Sequence, residues 1–77
     1  MISARQIRAA RALLNWSQQQ LADRAVISVT AVKRLEAGIG DPRMSTVLAV
    51  KAALEVGGVE FIPPSGGKGG GVRLTSE

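Results

Sequence analysis

The chain of 77 residues is predicted to be mainly α: four short helices, with a short β-strand or hairpin appended at the C-terminal end. Three observations predict this. Ser3, Ser17 and Ser28 each stand just before an apolar run at helical spacing, where a hydroxyl caps the free N–H groups of a helix start. A glycine pair, Gly57-Gly58, closes the last such run. Beyond it "VEFI" alternates apolar and polar, as a strand does, and Pro63-Pro64 ends it.

The first helix is expected over about 4–14. Ser3 and Gln6 have the spacing of a capping box, in which the hydroxyl accepts from one backbone N–H and the amide accepts from another. Ile7, Ala10 and Leu14 share one face, with Leu13 beside them, while Arg5, Arg8 and Ala12 face elsewhere. Ser17 and Gln20 repeat the capping box and open a second helix over about 18–25, with Leu21, Ala22 and Ala25 inward. It must stop there, because Ser28 caps a third helix over about 29–37. Ala31, Val32 and Leu35 are its inner face, and Gly38 suits its C-terminus. "GIGDP" is a loop. The fourth helix, about 44–56, has Val47, Val50 and Leu54 as a core stripe, helped by Met44 and Ala53. Gly57 and Gly58 break it. Strands are expected over 59–62 and 72–74, joined by "SGGKGGG" as a flexible connection. That glycine run lacks the GxxxxGK[ST] spacing and no helix follows it, so it is not a phosphate-binding loop. Residues 1–56 thus read as a helical domain and 57–77 as a C-terminal segment.

Composition narrows the chemistry. With no His, Cys or Tyr, the usual general bases, the thiol nucleophile and zinc ligands are missing. Asp23, Glu36, Asp41, Glu55, Glu60 and Glu77 form no close two-carboxylate arrangement. No enzymatic activity, cofactor or metal is expected. Residues 1–51 carry eight bases (Arg5, Arg8, Arg11, Arg24, Lys33, Arg34, Arg43, Lys51) against three acids, whereas residues 52–77 carry two bases against three acids. A basic helical part favours polyanions, nucleic acid before anionic membrane. "MISARQIRAARALL" has no apolar core of a signal peptide, and no run is long enough to span a membrane, so a cytoplasmic location is expected.

The second and third helices are short and joined by a very short turn, which is helix-turn-helix spacing. "SQQQLADRAVISVTAVKRLEAG", followed by "GDPRMSTVLAVKAAL", resembles the Xre/Cro family of bacterial and phage regulators over Arg11 to Leu54. The resemblance implies a lambda-repressor-like fold and binding to double-stranded DNA, usually as a dimer on a palindromic operator. It places sequence reading on the exposed start of the third helix: Ser28, Val29, Thr30, Lys33 and Arg34. An arginine there can donate bidentately to guanine, and Val29 can meet a thymine methyl. Phosphates are placed at the second helix's N-terminus, at Ser17 and Gln18, where free N–H groups attract anions. Glu36 is implied to pair with Arg11 as a structural salt bridge.

Two positions depart from the pattern. Val26 stands in the turn where many members have Gly, and a β-branched residue tolerates positive φ poorly. Arg43 opens the fourth helix, where a cation opposes the helix dipole; contact with a phosphate would compensate.

A two-stranded ribbon is marginal alone, so the C-terminal strands are expected to contribute to a homodimer interface through Val59, Phe61, Ile62, Val72 and Leu74, the other arrangement being a hairpin folded back on its own core. A second functional reading is an antitoxin that binds a protein partner through the tail "PPSGGKGGGVRLTSE" and regulates its own operon.

Overall fold

The computed structural model describes residues 2–76. Four helices, α1 (Ala4–Leu13), α2 (Gln18–Ala25), α3 (Val29–Ala37) and α4 (Met44–Gly57), precede two strands, β1 (Val59–Ile62) and β2 (Gly71–Leu74). The serine caps explain the three starts. Ser3, Ser17 and Ser28 accept from the N–H groups of Gln6, Gln20 and Ala31 at 3.1, 3.0 and 3.1 Å. Gln6 and Gln20 complete capping boxes with the N–H groups of Ser3 and Ser17, both at 2.8 Å. Each cap stabilises its helix by about 1 kcal/mol.

Helix ends follow local chemistry as well. Gly38 and Gly58 sit in the left-handed region, at φ 69° and 113°, and end α3 and α4. Gly57, expected to help break α4, is instead its last helical residue. Its reason is steric: a Cβ there would lie 2.6 Å from the Trp16 indole. Val26 ends α2 at φ 58°, ψ 47°, the left-handed conformation that glycine would take without strain.

The core is assembled from the four helices and β1. Ile7 and Ala10 of α1, Leu21, Ala22 and Ala25 of α2, Val32 and Leu35 of α3, Val47, Val50 and Leu54 of α4, and Val59 of β1 are all buried. Met44 does not join them; it is 58% exposed, at the edge of a stripe that the other three side chains of α4 already fill.

β1 and β2 pair antiparallel within the chain, with Val59 opposite Leu74 and Phe61 opposite Val72. The glycine-rich connection is not slack. Ser65 and Lys68 bridge each other across Gly66 and Gly67, whose φ angles of 58° and 78° suit the two central residues of a tight hairpin turn. Phe61, Val72 and Leu74 pack against the helical core. Gln6 fastens the hairpin to α1: its amide nitrogen donates to the carbonyls of Ile62 and Gly71 at 3.3 and 3.1 Å. Strand pairing is thus within the chain, and of the residues expected at a homodimer interface one is taken up by the core. Val59 is 1% exposed and belongs to the monomer's own core. On the hairpin's outer face, Glu60 pairs with Arg73 at 2.7 Å, which lowers the carboxyl's pKa through the hydrogen bond.

Candidate nucleic-acid interface

The site is built on how α3 is held. Glu36, in its last turn, is 4% exposed and accepts from three donors. Arg11 Nε reaches Oε2 at 2.8 Å, while Arg11 Nη2 and Gln18 Nε2 reach Oε1 at 2.9 and 3.1 Å. Arg11 also donates from Nη1 to the Trp16 carbonyl at 3.0 Å. The hydrogen bond with Glu36 raises the Arg11 pKa further. Arg8 donates to the Glu36 backbone carbonyl. One carboxylate thus ties α1, the start of α2 and the end of α3 together. Such a buried pair fixes geometry more than it adds stability, because desolvation offsets much of its attraction.

The outer side of α3 is left free by this arrangement. Thr30, Lys33 and Arg34 are exposed and Val29 is half-buried. Among the described residues the ion pairs are Arg11–Glu36 and Arg73–Glu60; Lys33, Arg34 and Arg43 take part in neither. The Ser28 hydroxyl is used in capping, toward Ala31 N–H.

The remaining expected residues fall around this face in two groups. Arg34 and Arg43 line one surface groove of about 200 Å³ with Ala31, Ile39, Asp41, Pro42 and Thr46. Within it the Arg34 guanidinium lies against the loop, 3.3 Å from where a Cβ of Gly40 would sit. Arg43 stands at the N-cap of α4 with no side-chain capping bond, so its guanidinium has no local task. At the start of α2, the Ser17 hydroxyl is committed to its cap, and the N–H groups of Gln18 and Gln19 are those a helix start leaves without helical partners. The Gln18 amide nitrogen donates to Glu36 Oε1 at 3.1 Å, which ties the start of α2 to α3.

Sequence reasoning missed Arg8 and the second role of Gln18. Arg8 lies three residues before Arg11, and that spacing on one helix face was the available signal. It also missed the stacking of Arg24 over the Trp16 ring, 4.4 Å from its centroid.

A short helix locked by its inner carboxylate, with unpaired basic side chains on its outer side and a second short helix packed across it, is a helix-turn-helix arrangement. The sequence model of the helix-turn-helix family matches residues 7–61, and the chain belongs to that family, in its Xre/Cro form. No curated protein matches the chain. Among the described residues, no helix is long and apolar enough to cross a membrane.

Proposed function

We propose that this protein reads a specific palindromic operator as a homodimer, placing α3 in the major groove. Arg34, Lys33, Thr30, Val29 and Ser28 face the bases, and Arg43 with the N–H groups at the start of α2 takes the phosphates. The observation that carries the reading is the contrast on α3. Its one acidic side chain is buried and triply bonded, while its two basic ones have no ionic partner among the described residues. A merely solvated helix gains nothing from so rigid an anchor; a helix that must present side chains to base edges does. The protein acts in the cytoplasm and is not an enzyme. The antitoxin reading rested on a free tail, and residues 63–74 instead form the hairpin's turn and second strand.

The test is selection of bound DNA from a random pool by the purified protein, followed by affinity measurements on the selected and on random sequences across a salt series. A two-fold symmetric consensus is expected, with half-site centres about one DNA turn, roughly 34 Å, apart. Affinity should fall with salt as phosphate contacts release counterions. Arg34→Ala should cost about 1–3 kcal/mol of discrimination at one base pair of each half-site. Equal affinity for selected and random DNA would overturn the specific reading.

A further inference from the structure

The outer face of α4 has no task in the site described above. Its inner stripe is Val47, Val50 and Leu54. Opposite lie Ser45, Leu48, Ala52 and Val56, none of them charged, with Ala49 half-buried at their edge toward α2. The two charged residues of α4, Lys51 and Glu55, stand together on one flank. A surface helix ordinarily turns charged and polar side chains to water. Here Leu48 is 53% exposed and Val56 is 89% exposed, with Met44 at 58% on the rim. The face continues into a groove of about 400 Å³ against the end of α2, lined by Arg24, Ala25, Ala49, Ala52, Ala53 and Val56.

We infer that this face of α4 is the surface through which two copies of the chain associate; the inference rests on the dimer reading and gives it an interface. Three observations choose a second copy as the occupant. The first is symmetry. Leu48 and Val56 each lie one turn from Ala52, about 6 Å along the axis. An antiparallel two-fold crossing at Ala52 therefore sets Leu48 of each copy against the other copy's Val56, and the small central residue lets the helices approach to about 8 Å. The second is area. The exposed side chains offer on the order of 400–500 Å² per copy, so a symmetric contact covers about 800–1,000 Å², the size of a weak, reversible interface. The third is charge. Each copy carries a formal net charge of +4, so two copies meet with least repulsion across an uncharged face. The one cation on the groove's rim, Arg24, is drawn over the Trp16 ring of its own chain. The hairpin, the other apolar candidate, has turned Phe61, Val72 and Leu74 onto its own core.

Two variants test this in the otherwise cysteine-free chain. Ala52→Cys should oxidise to a disulfide-linked dimer that still binds the selected operator, because a residue on a two-fold crossing lies within disulfide reach. Glu60→Cys, on the hairpin's outer face, should not. Ala52→Glu should weaken association by about 100-fold or more in sedimentation equilibrium, since it sets like charges face to face, with its helical circular dichroism unchanged. If Ala52→Glu unfolds, the cysteine result decides. A wild type that sediments as a dimer while Ala52→Cys stays unlinked, or while Glu60→Cys links instead, overturns the α4 interface and leaves the dimer reading standing. A wild type that remains one chain at every concentration, free and on its operator, overturns both.

Discussion

Val26 is the residue at which sequence and conformation disagree most. Besides glycines, Asn15 and Val26 adopt positive φ, and asparagine tolerates that region where a β-branched side chain does not. The backbone needs the conformation: with Val26 left-handed, the Ile27 N–H returns to the Ala22 carbonyl at 3.0 Å and closes α2. The side chain gains little in return, being 88% exposed. Val26→Asn should therefore raise stability by about 1 kcal/mol, read as a higher Tm in thermal melts with DNA affinity unchanged. A lower Tm would mean that the valine makes a contact that outweighs its strain. Glu36 carries the opposite expectation. Arg11→Met leaves a carboxylate buried at 4% exposure with Gln18 as its remaining hydrogen-bond donor among the described side chains, and should cost about 3–5 kcal/mol in chemical denaturation. The conflict at Val26 was legible only against the family pattern, which has Gly in that turn, together with the poor fit of a β-branched residue to positive φ. The Arg11–Glu36 pair came through family resemblance, because no local rule joins residues 25 apart in the chain. Arg8 was missed because helical periodicity says which way a residue points, not how far a long side chain reaches.

At the scale of elements, the starts of α1, α2 and α3 were the most legible feature, since each has a capping serine, joined in α1 and α2 by a glutamine three places on. Interior faces were legible where an apolar stripe repeats. They were misread where two elements meet. Met44 has the right period for the core of α4 and finds no room there. Gly57 was taken for a helix breaker, yet it is helical and glycine is required by a neighbour forty-one positions earlier. Gly57→Ala makes the difference measurable. In an isolated helix the change would stabilise by about 1 kcal/mol. Here the added Cβ would lie 2.6 and 2.7 Å from the Trp16 ring and 3.0 Å from Leu14 Cδ1, so the variant should be less stable than the wild type. Its Trp16 fluorescence should shift toward longer wavelength as the indole is displaced into water. A stabilised Gly57→Ala with an unshifted spectrum would show that the indole gives way easily.

Across the whole molecule, the division of charge was legible, and so was the order of helices and strands. Whose core the strands would cover was not. Alternation in "VEFI" marks which side chains seek apolar surroundings, and it is silent on which chain supplies them. The hairpin's tether supplies a consequence in time rather than in space. The hydrogen bonds from Gln6 to Ile62 and Gly71 join positions 56 and 65 apart in a chain of 77, while α2 and α3 are separated by a three-residue turn. Closing the long loop costs more chain entropy than any local step, so it is favoured only once the helices are assembled. Folding should then run from a helical nucleus, with the ribbon arriving last. Gln6→Glu, which keeps an oxygen for the Ser3 N–H and loses the Nε2 donor, should quicken unfolding severalfold and leave the folding rate nearly unchanged in denaturant-jump kinetics, the pattern of a contact made after the rate-limiting barrier. A slowed folding arm would place the ribbon's arrival at the barrier instead.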